Sequence, residues 1–417
     1  MSDRAALVAA IVAHPEEDTP RLMFADWLDE QGDGFFAAWA TLIRAQVEFA
    51  RTDRYSSRWL ELGHEQVRVF QSRPRDWAEC WRGRLGAPTY RRGFREAARV
   101  SAGAFRTAAA RLFGANPVRA LHITNLVEDG GWADRDLHTY PEWARVETLD
   151  LRGNGARAVA KFLARVAPRA PKLRALGFGT LGLTAGQAGN LLAVPVPGLR
   201  ALDLHDNPLF FPAYEDMRPE SVFHAPALAG VTWLDLYDTQ PTVAAAEALA
   251  HSPVLRGLRY LDFGRGIYRG SAEPLGTAGA RALAGGPAVR GVEVLDLSGH
   301  NIGAAGAEAL AHSPLLDTVR ELNLANNDLG DDGIIALAHS PRAANLRRLD
   351  ISTNNMTEAG AAALLASPHL AGVTVLRYGE HSGYLPLPIE RQLVERFSGS
   401  DPACGSQPIM AVAEAIP

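Results

Sequence analysis

The chain has 417 residues, 47% of them hydrophobic, which is enough for one large domain or two to three ordinary ones with a substantial core. A formal net charge of -5 singles out neither nucleic acid nor a membrane surface as partner. Two cysteines, Cys80 and Cys404, exclude a disulfide framework and most cysteine metal sites, and they fit a reducing compartment.

The N-terminal stretch reads as helical. The run ALVAAIVA, residues 6–13, is too short to span a membrane. It has no cleavage-type ending, so no signal peptide is expected and the cytoplasm is the expected compartment. Asp18 or Thr19 before Pro20 makes a helix start, and Leu22, Met23, Ala25, Trp27 and Leu28 give that helix an apolar face. The segments HPEEDTPRLMFADWLDEQGD (14–33) and LIRAQ (42–46) resemble the repeat-companion domain, a short helical module at the head of many bacterial repeat proteins. The resemblance implies a module over residues 1–50 and brings no activity with it.

Residues 51–116 are less regular and are expected to form an N-terminal cap or a degenerate first repeat, starting near Phe94, which lies 27 residues before Leu121. Arginines alternate here with Trp77, Trp81, Tyr90 and Phe94. One reading makes residues 73–119 a stacking and phosphate-binding surface for nucleic acid. The other makes the aromatics a cover for the first coil and the arginines solvated. The second is simpler, so nucleic acid is not the expected partner.

From residue 117 one frame recurs, L-x-x-L-x-L. Its middle leucine falls at Leu121, Leu149, Leu176, Leu202, Leu234, Leu261, Leu295, Leu322, Leu349 and Leu376, spaced most often by 27 residues. A proline stands eight residues earlier in eight of these ten units, for example Pro253, Pro314 and Pro341, which fixes the register independently. Alternating apolar residues predict a short strand, and alanine-rich runs such as GAEALA predict a helix. Gly306, Gly333 and Gly360 would let that helix approach the sheet, and the proline would end it. This pattern resembles the leucine-rich-repeat family in its ribonuclease-inhibitor-like α/β form. The resemblance implies an α/β solenoid over 117–397, a horseshoe with parallel strands concave and helices convex. PIERQLVERF (388–397) reads as a closing helix, and residues 398–417 as a loose tail.

Two polar columns recur with the frame. Asn154, Asn207, Asn327 and Asn354 lie five residues after the frame leucine. The resemblance implies an inward-turned ladder, in which each amide bonds the backbone of neighbouring coils. Thr239, Gly266 and His300 take that place elsewhere and would weaken the ladder or satisfy it differently. His224, His251, His312 and His339 stand two residues before the proline. A stacked metal column is one reading, and donors at the last helical carbonyls the preferred one. No metal or cofactor is expected.

Catalytic motifs are missing from the sequence. GFGTLG, Gly177 to Gly182, matches a dinucleotide-type glycine pattern, with Asp203 at a suitable distance. However, the repeat frame runs through it, which favours ordinary strand and loop positions.

Function is expected on the concave face, where residues one before, one after and three after the leucine point. Asp150, Asp203, Asp235, Asp262, Asp296 and Asp350 form an acidic stripe there. Arg174, Arg200, Arg259, Arg320 and Arg347, two before the leucine, are candidates to offset it. Asp203, His205, Trp233, Asp235, Tyr237, Tyr260 and Asp262 gather on adjacent units, beside insertions at 208–221 and 264–274. Loops inserted into a solenoid collect at binding sites, and aromatics among charges resemble an interface hot spot. The sequence therefore predicts a non-catalytic, monomeric scaffold that binds a protein there. The alternatives are the nucleic-acid surface and a GTPase-regulatory role, with Arg265 or Arg269 acting on the nucleotide.

Overall fold

The computed structural model describes residues 2–80, 89–126, 136–212, 218–266, 274–379 and 385–397. Trp81, Arg269 and the expected tail 398–417 lie outside them. The chain divides into two compact units, residues 1–173 and 174–417.

The first unit opens with α1 (Asp3–Ala13), α2 (Thr19–Glu30), α3 (Gly34–Arg51), α4 (Ser57–Ser72) and α5 (Pro74–Cys80). The antiparallel pair β1 (Thr89–Arg91) and β2 (Phe94–Ser101) follows, then α6 (Ala102–Ala115), β3 (Ala120–Thr124), β4 (Thr148–Asp150) and α7 (Ala156–Val166). Strands β2, β3 and β4 are parallel. Ala98 pairs with Leu121, so the first coil is centred on Ala98. Phe94 opens the strand of this coil, while Ala98, 23 residues before Leu121, takes the frame position. Phe94 is buried against Ile11, Phe24, Leu28 and Ile43 of the helical module.

The residues that suggested a repeat-companion module hold the β1–β2 turn. Gln46 Oε1 accepts the Gly93 N–H at 2.7 Å, and Trp39 Nε1 donates to the Gly93 carbonyl at 2.7 Å. Arg21 is fully buried and donates to Pro15 O at 2.7 Å and to Glu96 Oε1 at 2.8 Å. Burial lowers its pKa to about 10, so it stays charged at neutral pH. Arg119 binds the other Glu96 oxygen at 2.5 Å, and the buried carboxylate is thus fully paired. Gly93 has φ +80°, and a Cβ there would lie 2.1 Å from Ile43 Cγ1. Gly93→Ala is therefore expected to cost about 2–4 kcal/mol in urea unfolding, from left-handed strain plus overpacking. An unchanged midpoint would show that the turn is not seated on α3.

The second unit alternates strand and helix: β5 (Ala175–Gly177), α8 (Ala185–Leu192), β6 (Ala201–Asp203), α9 (Pro219–Phe223), β7 (Trp233–Asp235), α10 (Val243–Ala250), β8 (Tyr260–Asp262) and α11 (Gly276–Gly285). It continues as β9 (Val294–Asp296), α12 (Gly303–His312), β10 (Glu321–Asn323), α13 (Gly330–His339), β11 (Arg348–Asp350), α14 (Glu358–Ala366), β12 (Val375–Arg377) and α15 (Leu387–Arg396). The strands are parallel and each frame leucine pairs with the next, Leu202 with Leu234, Leu234 with Leu261 and so on to Leu376. These leucines are 0–2% exposed. With a period of two, the residues before and after each leucine must face the other side of the sheet. Pro226, Pro314 and Pro341 do more than end helices, since each opens a short 3₁₀ turn.

The asparagine ladder is present. Asn327 Oδ1 accepts His300 N–H at 2.9 Å and Ile302 N–H at 3.4 Å, and its amide donates to Leu297 O at 2.7 Å. Asn154, Asn207 and Asn354 act in the same way. The Thr239 hydroxyl donates within its own coil, to Leu236 O at 2.7 Å. His300 reaches the preceding coil with Nε2 on Phe263 O at 2.6 Å. Burial lowers its pKa to about 4, so the ring is neutral and Nε2 is the donor. Two column histidines support the helix-end reading: Nδ1 of His251 bonds Glu247 O at 3.1 Å and that of His312 bonds Glu308 O at 2.8 Å.

A second ladder runs through the Ser-Pro turns. The serine of each Ser-Pro turn donates to a helix-end carbonyl of the preceding coil: Ser252 to Phe223 O at 2.6 Å and Ser313 to Ala284 O at 2.5 Å. Ser340 and Ser367 repeat the contact on Ala311 and Ala338.

Candidate functional site

Strands β6, β7 and β8 bring all seven candidate residues onto the sheet face opposite the leucines. Register places Asp203 beside Asp235, Asp235 beside Asp262, and Asp262 beside Asp296. Each carboxylate has a structural duty that explains its recurrence. Its Oδ1 accepts the N–H two residues on: His205 at 2.9 Å, Tyr237 at 2.9 Å, Gly264 at 3.0 Å and Ser298 at 2.8 Å. Asn323 performs the same task at 3.0 Å. The turn therefore needs an acceptor and not a charge.

The charge is compensated only at the margins. Asp350 pairs with Arg377 at 3.7 Å, and in the first unit Asp150 pairs with Arg152 at 2.6 Å. Among the described residues no lysine or arginine pairs with Asp203, Asp235, Asp262 or Asp296. The arginines expected to offset the stripe point elsewhere: Arg200 donates to Gly230 O at 3.0 Å, Arg259 to Glu293 at 3.0 Å and Arg347 to Leu346 O at 3.1 Å. Two residues before the leucine is the wrong parity for the acidic face.

Burial and mutual repulsion act on the row together. Asp235 is pushed up to about 7 by burial and then by Asp203. Asp262 is held well above the usual carboxylate range by burial and Asp296. Asp296 is raised by burial, although Ser298 and Asn323 bond it. Burial and then Asp238 push Tyr237 up to about 12.

The aromatics divide into two roles. Trp233 and Tyr260 stack with centroids 4.7 Å apart and planes 13° apart. They are only 4% and 6% exposed and pack with Ala175, Ala201 and Val294, so they form the floor of the patch. Tyr237 is 37% exposed and is the aromatic a partner would meet. His205 Nδ1 lies 2.5 Å from Asp203 Oδ1. Asp203, His205 and Asp235 bring ligand atoms within 4.8 Å of one another, a set able to hold a cation.

Two glycines shape the patch and were not recognised in the sequence as part of it. A Cβ on Gly179 would meet the His205 ring at 2.2 Å, and one on Gly264 would meet Asp296 Oδ1 at 2.6 Å. The dinucleotide-like loop offers no phosphate cradle. The N–H groups of Phe178, Thr180, Leu181 and Leu183 are already bonded, to Asp203 O, His205 O and Asn207 Oδ1. In the 208–221 insertion, Leu209 and Phe210 are fully buried and Phe210 stacks on Phe223 at 5.5 Å. Its residues 213–217, and 267–273 of the other insertion, lie outside the described residues. Arg265 donates its backbone N–H to Ser298 O at 2.9 Å. Trp77 and Phe94 of the alternative nucleic-acid surface are 1% and 3% exposed. No described helix is long and apolar enough to cross a membrane.

No curated protein matches the chain in sequence. Among solved structures, the yeast Rad7 and Elc1 complex is similar with a TM-score of 0.45 and 14% identity, over 74% of this chain and 85% of that one. The leucine-rich repeat-containing protein LegL7 from Legionella pneumophila is similar with a TM-score of 0.44 and 17% identity, over 68% and 92%. Residues 292–311, 317–338 and 343–365 match the family described as Leucine Rich repeat. These segments lie in a strand–loop–helix frame that runs in register from Leu176 to Leu376, and the chain is a leucine-rich-repeat protein.

Proposed function

We propose that this chain is a non-catalytic, cytoplasmic scaffold that binds a protein partner on the face of β6–β8, the concave face of the expected horseshoe. The observation that carries this reading is the carboxylate row around an exposed tyrosine, in which His205 meets Asp203 and no described lysine or arginine meets the rest. Keeping four acids side by side without a lysine or arginine costs stability. The turn would accept asparagine, as Asn323 shows, so the charge is surplus to the fold. Residues 1–50 are taken as a repeat-companion module, and 51–116 as the cap between that module and the repeats over 117–397.

Tyr237→Ala tests the site, because this ring is exposed and its removal leaves the core intact. A partner captured from lysate of the source organism and identified by mass spectrometry is expected to bind Tyr237→Ala at least tenfold more weakly, with unfolding unchanged. Equal affinity for both proteins would remove this face as the binding site.

A further inference from the structure

Resting on that reading of the β6–β8 face, we infer that the partner presents a basic segment: an extended stretch of chain with lysine or arginine at alternate positions, laid across the strands. The charge pattern asks for a cation at this row. Asp350 has Arg377, and Asn323 has no charge to match. Asp203 has the His205 ring at 2.5 Å, and no lysine or arginine pairs with the row from Asp203 to Asp296 among the described residues.

Access is also provided at this point. The His205 ring rests over Gly179, toward β5, while the Tyr237 hydroxyl would lie 3.3 Å from a Cβ on Gly266, toward the loop after β8. The two side chains lean apart above Asp235. Asp203, Asp262 and Asp296 are 1%, 7% and 5% exposed, whereas Asp235 is half-buried and is the carboxylate a ligand meets first.

The dimensions favour a segment over a single ion. Parallel strands lie about 4.8 Å apart, so four carboxylates span about 14 Å. Alternate side chains of an extended peptide fall about 6.8 Å apart on one side, so each basic group meets two neighbouring acids. The Trp233 indole N–H on the same face is buried with no acceptor among the described residues. A bare metal ion at Asp203, His205 and Asp235 would leave that donor unmet, whereas a peptide brings carbonyl oxygens along with its cations. Aliphatic stems of lysine or arginine also suit the apolar surface of Tyr237.

The test uses the full chain and an acetylated, amidated Ser-Arg-Ser-Arg-Ser-Arg-Ser peptide, with binding read by fluorescence anisotropy at two salt concentrations. The wild type is expected to bind, more weakly at higher salt. The Asp235→Asn, Asp262→Asn double variant is expected to lose at least tenfold. The control Asp332→Asn, Glu358→Gln makes the same charge change on exposed helix positions and is expected to bind as the wild type does. Loss in the control equal to that in the double variant, undiminished binding by the double variant, or no binding by the wild type would each overturn the inference. So would a thermal shift with Mn²⁺ alone that Asp235→Asn abolishes, in a protein that ignores the peptide. A lysate partner lost on Tyr237→Ala but kept by the double Asn variant would sink the basic segment and leave the proposed function standing.

Discussion

Asn327→Leu will lower the stability of the repeat unit by about 3–5 kcal/mol, measured by urea unfolding. Leucine keeps the branched skeleton of asparagine, so the lost hydrogen bonds dominate over packing. The side chain joins His300 N–H, Ile302 N–H and Leu297 O, and leucine leaves all three buried groups unpaired at about 1–3 kcal/mol each, less what water recovers. The count of partners raises the expectation above the 1–3 kcal/mol that a single unmet group implies. Amide exchange should accelerate first around His300 to Ile302, because the loss is local to two coils. Thr239→Ala should cost far less, since Thr239 holds one local bond. Equal effects at the two positions would refute the ladder as the origin of the difference.

Asp262→Asn will have the opposite sign and will stabilise the fold at pH 8. Asparagine keeps the acceptor that Gly264 N–H needs at 3.0 Å and removes a charge pressed against Asp235 and Asp296. The pH dependence fixes the mechanism. A carboxylate raised by the fold binds its proton more tightly folded than unfolded, so its protonation favours the folded state. For Asp235, stability is fully present below the ordinary value of 3.8 and is lost as pH rises toward about 7. This is the reverse of the usual surface aspartate. The gain from Asp262→Asn should therefore shrink toward zero near pH 4. A gain independent of pH would assign the effect to packing instead.

The repeat was legible because its physics is periodic. A strand needs leucine on one side, a buried loop needs an amide, and both demands recur with every coil. The parallel register could be read from the recurring frame leucines and prolines, and the amide ladder at Asn327 and its counterparts from the resemblance to leucine-rich repeats. Other features depend on neighbours in space that no period reports. Phe94 looked like a repeat position at the right spacing, but its burial among Phe24 and Ile43 follows from the helical module. Trp233 and Tyr260 read as exposed, because strand parity says which face a residue takes and not how deeply its ring will lie under the next one. The arginines two before the leucine could be counted but not aimed. Gly179 and Gly264 give no signal of their own; their role exists only opposite His205 and Asp296.

Both ladders run one way along the chain. Where a coil carries the amide, it serves the backbone of the coil before it, and so does each turn serine. A coil therefore has its polar groups closed by its successor, and the stack has a polarity like a zip. Loss of a coil from the C-terminal end leaves loop and turn carbonyls of its predecessor unmet, and loss from the other end leaves the amide and the serine of its successor unmet. The last coil needs a closure from outside the repeat. Arg396 of α15 provides it, placing its guanidinium on the carbonyls of Leu365 and Ser367. The closing helix thus supplies, with an arginine, the closure that a turn serine supplies between coils.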